Sequence, residues 1–322
     1  MRIPYWLMTA ILGVLLAAGG VHAQQQFPVK PIRLIVPATS GSPLDRVAHT
    51  LALKLSEAFK QSVVLDNRPG GALAIGIEIA LRANPDGYTV ILVPSTYGAK
   101  AAFFKLPYDS LNDVTPIALV GESGFVVTLH PSRPVTSIKE LIAYDKANPG
   151  KLHYGATGTG SGPHRATELF NQMAGTSLIH VPYKGASPAL NDLLGGQIQI
   201  FFGNLPTMIP QFKLKRLRGI AVTTAKRSNA VPEIPTVGET VGSYEAVGWQ
   251  GVLGPKALPK DIVARWNNEI NRILQLSDVK EYLAADGIAS ASGSPEHFHV
   301  FLRSEITKWQ KVVKVAGIKP EG

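Results

Sequence analysis

The sequence predicts an α/β protein made of two lobes, each a doubly wound sheet with flanking helices. Apolar β-branched runs alternate with helical patterns near the start of the chain, and a second such series begins beyond His130. The 322 residues also exceed what one compact core usually holds. We therefore predict a first lobe of residues 24–126 together with 236–322, a second lobe of residues 127–235, and a ligand cleft between them.

The first lobe should contain a parallel sheet, because its predicted strands alternate with helices. The sequence predicts strands at 32–36, 63–65 and 89–93, and helices at 44–59 and 74–81. The segment 231–259 is rich in Pro and Gly, so we predict a linker that returns the chain to the first lobe. Three helices at 261–274, 279–285 and 295–315 then complete this lobe.

The same alternation predicts the second lobe. Its strands are expected at 152–154, 178–180, 198–202 and 219–222, and its helices at 137–146, 163–173 and 187–194. In sheets of this kind, ligands bind beyond the carboxyl ends of the strands, so the loops there are the first candidates for a site.

The first 23 residues have the order of a secretory signal peptide. Arg2 supplies a positive charge, an apolar run follows at 6–18, and Val21 and Ala23 suit a cleavage site. The apolar run of about a dozen residues is shorter than the ~20 that a spanning helix requires. We therefore expect residues 1–23 to be removed and the mature protein to work outside the cytoplasm.

Composition narrows the function classes. Hydrophobic residues make up 45% of the chain and charged residues 17%, which is typical of an ordered globular protein. The absence of cysteine excludes disulfides, thiol catalysis and thiolate zinc sites. The net charge of +9 favours anionic partners, but the basic residues are dense only around 213–218 and no aromatic residues are interleaved there. We therefore predict no nucleic-acid partner.

A loop of small residues lies between the predicted strand 32–36 and the following helix. Main-chain N–H groups at a helix start, together with the helix dipole, form a ready anion site. An ordinary turn with a serine N-cap is the alternative interpretation. The hydroxyls of Thr39, Ser40 and Ser42 add hydrogen-bond donors to this first loop, which spans residues 37–43.

A second, glycine-rich loop follows a strand and precedes a helix in the other predicted lobe. Such glycine density lets a ligand approach the main chain directly. One anion loop in each lobe suits a molecule that is acidic at both ends, or one acidic head held in a closing cleft. Thr159 and Ser161 can also donate hydrogen bonds from this second loop, which spans residues 155–164.

Five further positions belong to the predicted site. Ser95 and Tyr97 follow the strand 89–93, where their hydroxyls are expected to face the crevice, and Asn204 occupies the matching place in the second lobe. Asp45 and His164, near the starts of the helices after the two loops, are also predicted to bind ligand.

Catalytic and metal motifs are not satisfied. Ser161 is not in a G-x-S-x-G elbow, and neither a dinucleotide nor a nucleoside-triphosphate fingerprint is present. His153, His164 and His180 are on different elements without ligand spacing. We therefore predict no metal, no cofactor and no catalytic residue. A competing hypothesis is an exported hydrolase or transferase that uses Ser161 with His164 or His180.

Several ordered motifs give a resemblance to a known family. They include "PDGYT" from Pro85, "LPYD" from Leu106, "HPSRP" from His130, "GATGTGSGPH" from Gly155 and "IPTVGE" from Ile234. With these motifs the chain resembles the Bug family, the TctC-like periplasmic solute receptors of tripartite tricarboxylate transporters.

This resemblance implies a two-lobed periplasmic binding protein of type II, in which the two loops grip an acid through main-chain amides and bridging waters. Carried over to this chain, the binding positions that the resemblance implies are Ala38, Thr39, Ser40, Gly41 and Ser42 in the first loop and Thr157, Gly158, Thr159, Gly160 and Ser161 in the second. It further implies a small carboxylate ligand, membrane permease subunits as partners, a periplasmic location, a monomer and no enzyme activity. A sensory receptor that is not coupled to transport is a further alternative.

The first loop departs from the family pattern V-P-F-x-P-G-G-x-x-D. Ala38 replaces the Phe, Ser42 replaces the second Gly, and His49 stands where an Arg is usual. These changes alter the volume and the backbone freedom next to the ligand. The ligand of a better-known relative therefore cannot be transferred to this chain.

Overall fold

The computed structural model describes residues 27–158 and 160–315, so the predicted signal peptide at residues 1–23 lies outside the described residues. The strands are β1 Ile32–Val36, β2 Val63–Asn67, β3 Thr89–Pro94, β4 Val114–Leu129, β5 His153–Ala156, β6 Ile179–Pro182, β7 Ile200–Asn204, β8 Arg218–Val222, β9 Val247–Pro255 and β10 Ile288–Ser290. The helices are α1 Pro43–Phe59, α2 Ala74–Leu81, α3 Thr96–Phe103, α4 Ile138–Ala147, α5 Gly162–Ala174, α6 Ala186–Leu194, α7 Leu205–Lys213, α8 Lys260–Leu274, α9 Ser277–Ala285 and α10 Pro295–Val315. Short 3-10 helices span Gly71–Leu73 and Val237–Glu239.

The predicted α/β fold is confirmed, and its strands form one curled sheet. The strand order is β2-β1-β3-β9-β4-β7-β5-β6, with β8 and β10 also paired to β4. The long strand β4 is shared by two halves of this sheet: its Gly124 pairs with Val247 of β9, whereas Phe125 pairs with Asn204 of β7. We call β2-β1-β3-β9 the first half and β7-β5-β6 the second half. The exact lobe boundaries stay a prediction.

The expectation of a parallel sheet holds only for two sets of three strands. Strand β1 is parallel to β2 and β3, and β5 is parallel to β6 and β7. Strand β9 is antiparallel to both β3 and β4, and β4 is antiparallel to β7. The sheet is therefore mixed, because two antiparallel strands join the parallel sets.

The predicted linker at 231–259 is wrong in its last part, because β9 lies there. The glycines that suggested a linker are required by close packing instead. A Cβ at Gly251 would overlap the ring of Phe298, and one at Gly254 would overlap Leu258. Strand β4 and helices α3 and α7 were also not predicted.

Helix α10 ties the two halves of the sheet together. Its first part, with Phe298 and Leu302, packs into the core of the first half, whereas Trp309 packs into the core of the second half. Between them the buried Glu305 accepts hydrogen bonds from Trp309 Nε1 at 3.0 Å and from Trp249 Nε1 of β9 at 3.1 Å. One carboxylate thus joins α10 to β9, the strand of the first half that pairs with the shared strand β4.

We expect Trp309→Ala to lower the free energy of unfolding by about 3–5 kcal/mol, because it leaves a cavity and removes one hydrogen bond to Glu305. Val300→Ala is the matched control on the same helix, since Val300 is 66% exposed, and its effect should stay within about 0.5 kcal/mol. Urea denaturation of both variants checks this. Equal effects of the two substitutions would show that α10 does not tie the halves.

Candidate functional site

The candidate site lies at the carboxyl ends of parallel strands from both halves. Strand β1 leads into the first loop and β3 into Ser95, while β5 leads into the second loop and β7 ends at Asn204. A helix begins at or just after each of these points. The fold therefore directs four helix N-termini toward the region where ligands bind in open α/β sheets.

The first loop is held by the carboxylate of Asp45, which is 1% exposed. Asp45 Oδ2 accepts a hydrogen bond from Gly41 N–H at 2.7 Å, and Oδ1 accepts one from Asn67 Nδ2 at 2.7 Å. Asn67 Nδ2 also donates to Ala38 O at 3.1 Å. Burial tends to raise the pKa of Asp45, but the hydrogen bonds from Asn67 and Gly41 hold it below its usual value. Asp45 is therefore ionised at neutral pH.

The second loop is held by the imidazole of His164, which is 5% exposed. His164 Nδ1 accepts a hydrogen bond from Gly160 N–H at 3.1 Å. Burial, together with the nearby His180 and Arg165, lowers the pKa of His164 to about 4. The ring is therefore neutral at pH 7, and only the neutral ring can accept at Nδ1.

The two loops have the same local design. In each, a serine caps the helix: Ser42 Oγ accepts from Asp45 N–H at 3.3 Å, and Ser161 Oγ accepts from His164 N–H at 3.5 Å. The Asp or His side chain then reaches back to the glycine before the serine, as in a capping box shifted by one residue. Both glycines have positive φ, +79° at Gly41 and +75° at Gly160, which favours glycine at these positions.

This design leaves other amides of the first loop open. The N–H groups of Gly41 and Gly160 are used by the caps, so they do not point freely at a ligand as the sequence suggested. The N–H groups of Thr39 and Ser40 have no hydrogen-bond partner within the described residues, and both residues are exposed. Thr159 of the second loop lies outside the described residues.

A crevice of about 290 Å³ lies where the halves meet. It contains two of the predicted residues, Ser95 from the first half and Asn204 from the second. Pro43, beside the first loop, also lines it, whereas no described residue of the second loop does. Residues that the sequence did not indicate complete its polar lining: Arg46, Ser123, Thr207, Gln250 and Asp286.

Arg165 connects the second loop to the crevice. Its guanidinium is buried and donates from Nη2 to Ser95 Oγ at 2.9 Å, and it lies 4.6 Å from the ring of Trp309. Burial lowers the pKa of Arg165 to about 10, so it stays charged at neutral pH. A Cβ at Gly160 would lie 3.4 Å from Phe103 of α3. The second loop and α5 therefore pack on the helix that begins at Ser95.

The structure corrects the expectation for Tyr97. Its side chain is buried in the first-half core, and its hydroxyl donates to Ser110 O at 2.8 Å. Helix α3 starts at Thr96 and turns Tyr97 into the core, so the hydroxyl does not face the crevice. Asp45 and His164 direct their polar atoms at the loops, so their geometry fits positioning residues better than ligand contacts.

The hydrolase hypothesis has no supporting geometry. In the part of the chain that the structure describes, the Ser161 hydroxyl accepts a hydrogen bond from the main-chain N–H of His164, but neither the His164 nor the His180 imidazole is hydrogen-bonded to it. The described residues, 27–158 and 160–315, contain no cluster of three His, Cys, Asp or Glu side chains able to hold a metal ion. Across 27–158 and 160–315, no helix combines the length and apolar character needed to cross a bilayer.

A larger cavity of about 420 Å³ lies on another side of the first half. It is lined by Phe104, Tyr108, Arg303 and Thr307, between the end of α3 and α10. None of the predicted site residues that the structure describes lines it, so its size alone does not favour it as the ligand site.

Comparison with known proteins gives consistent similarities. The family model described as tripartite tricarboxylate transporter family receptor matches residues 47–318. Protein BugT of Bordetella pertussis is 32% identical over 319 residues, covering 97% of this chain and 98% of that protein.

Two solved structures with bound acids are also similar. R. palustris Rpa4515 with adipate has a TM-score of 0.76 and 35% identity, covering 92% of this chain and 100% of that chain. MatC (Rpa3494) from Rhodopseudomonas palustris with bound malate has a TM-score of 0.71 and 26% identity, covering 89% of this chain and 100% of that chain.

We expect Asp45→Ala to lower the free energy of unfolding by about 1–3 kcal/mol, because Gly41 N–H and Asn67 Nδ2 lose their acceptor. Glu57→Ala removes an equal charge from an exposed position of the same helix, and should change stability by less than about 0.5 kcal/mol. Thermal and urea denaturation of both variants give the comparison. If Asp45→Ala is as mild as its control, the carboxylate does not hold the loop.

Stability should rise with pH across the range from about 4 to 6.5 through His164, whose native pKa of about 4 lies below the usual histidine pKa of 6.5. In this pH range the imidazole of His164 binds a proton in the unfolded chain but stays neutral in the native protein. The contribution of His164 to the free energy of unfolding is therefore on the order of 3 kcal/mol above pH 6.5 and is lost toward pH 4. His164→Asn keeps an acceptor for Gly160 N–H but does not titrate.

Denaturation at several pH values measures this effect. The slope for wild type should exceed that for His164→Asn by up to about one proton between the two pKa values. His180 also has a lowered pKa through burial and should retain its own share in the variant. Identical slopes would show that His164 is not held neutral by the fold.

Proposed function

The chain belongs to the tripartite tricarboxylate transporter receptor family, and from this premise we propose that it is a periplasmic receptor that captures a small organic acid. The family consists of solute-binding proteins rather than enzymes. The similar structures that carry adipate and malate support a carboxylate as the class of ligand.

The crevice between the halves is the observation that carries this proposal. It brings Ser95 at the end of β3 and Asn204 at the end of β7 to one space, next to the start of α1. These are helix N-termini from both halves, and helix N-termini favour anions. A ligand acid would receive donors from both sides of the crevice.

Donors from both halves are needed on energetic grounds. A hydrogen bond to a charged group contributes about 1.5–3 kcal/mol, whereas association costs about 4–15 kcal/mol. Two open amides in the first loop therefore do not suffice for tight binding. Closure of the halves over the acid would add the remaining contacts and shift an open-closed equilibrium.

Delivery of the acid to the membrane subunits of a tripartite tricarboxylate-type transporter is the second part of the proposal. It rests on the family description. Uptake of labelled acid by vesicles that contain the cognate permease should require the added receptor. Binding without any such uptake would favour a sensory role instead.

We expect at least one acid from a panel of acetate, hexanoate, malate, adipate and citrate to raise the melting temperature. An acid at 100 times its dissociation constant adds about 2.7 kcal/mol to the stability of the native state. Isothermal titration should then give one site and no turnover. 1,6-Hexanediol is the neutral control. A panel without effect, or an equal effect of the diol, would contradict carboxylate binding.

A further inference from the structure

Two charged side chains line the crevice, and they are paired with each other. Arg46, in the first turn of α1, donates from Nη2 to both carboxylate oxygens of Asp286 at 2.9 Å, and Nε lies 3.3 Å from Oδ2. Asp286 directly follows α9. No other Lys, Arg, Asp or Glu among the described residues lines this space.

The pair is connected to both halves of the site. Arg46 Nη1 lies 3.5 Å from Gly41 O of the first loop. Next to Asp286, Gly287 packs so closely on Pro206 of α7 that a Cβ there would lie 2.6 Å from the proline ring. A rearrangement of the Arg46–Asp286 pair would therefore affect the first loop and the contact between the halves.

The pair is poorly suited to a purely structural role. The Arg46 side chain is 44% exposed and that of Asp286 27% exposed, and exposed ion pairs contribute little to stability. A guanidinium, however, presents a planar fork that fits any carboxylate in the same bidentate way. A ligand carboxylate can replace Asp286 at little cost.

We propose that Arg46 is the charge receptor of the crevice and that a carboxylate of the ligand displaces Asp286 from it. Asp286 then acts as a competitor that holds the guanidinium in position while the crevice is empty. The other polar end of the acid would extend to Asn204 and Thr207, which line the crevice from the second half. This inference rests on the proposed function, because it assigns a residue to carboxylate capture.

The two members of the pair should give effects of opposite sign when adipate, malate and citrate are titrated by calorimetry. For the acids that wild type binds, Arg46→Met should weaken binding by about ten- to a hundredfold. The affinity of Arg46→Lys should also stay below that of wild type, because lysine cannot form the bidentate pair. Asp286→Asn should tighten binding by up to about fivefold, because it removes the competitor.

Lys54→Met is the matched control. Lys54 Nζ pairs with Asp278 Oδ2 at 2.7 Å and thereby joins the same two helices, α1 and α9, away from the crevice. The affinity of the Lys54→Met variant for the acids should stay within about twofold of the wild-type affinity. Melting temperatures without acid, measured for all variants, separate a loss of fold from a loss of binding.

Two results would overturn this inference while leaving the proposed function intact. If Arg46→Met and Asp286→Asn bind the acids as wild type does and resemble Lys54→Met in stability, the pair is only a link between α1 and α9. If Asp286→Asn weakens binding, Asp286 contacts the ligand instead of competing with it. A wild-type protein that binds none of the acids would contradict the proposed function itself.

Discussion

The main-chain geometry of the two loops depends on one interaction, a side chain three residues after a serine cap that binds the N–H of the glycine before it. Asp45 does this for Gly41, and His164 does it for Gly160. Because both side chains are buried, the loops are fixed before any ligand arrives. Preformed donors lose little freedom on binding, which makes short polar loops effective as an anion site.

The rest of the fold places the helices that follow these two loops next to the junction of the halves. Strand β4 pairs with both halves of the sheet, and α10 contributes to both cores through Phe298 and Trp309. Arg165 then joins α5 to the start of α3 through Ser95. Halves that share one strand and one helix can change their relation at few points, and the crevice lies between them.

The sequence predicted the parallel strands and their helices well because each is a local pattern of apolar residues. It failed at β4 and β9, where glycines at positions such as Gly251 admit a neighbouring side chain and interrupt the alternation. Both loops were found from their small residues. The two loops also share a spacing, G-S-x-x-Asp in one and G-S-x-x-His in the other. This spacing is a local sequence signal for the hydrogen bonds from the Gly41 and Gly160 N–H groups to Asp45 and His164.

Other parts of the site have no local signal at all. Arg46 and Asp286 are 240 residues apart in the sequence, and Arg165 and Ser95 are 70 apart. Only the folded chain shows that these side chains meet. Tyr97 was misplaced because the expected turn after β3 is a helix from Thr96, which directs this side chain into the core.

A crystal structure with a bound dicarboxylate tests most directly whether the two loops held by Asp45 and His164 form one anion site together with the crevice. We expect a carboxylate within hydrogen-bond distance of the main-chain N–H groups of Thr39 or Ser40, in a crevice closed by Ser95 and Asn204. An acid bound instead in the cavity lined by Tyr108 and Arg303, with both loops unchanged and open to solvent, would contradict this account.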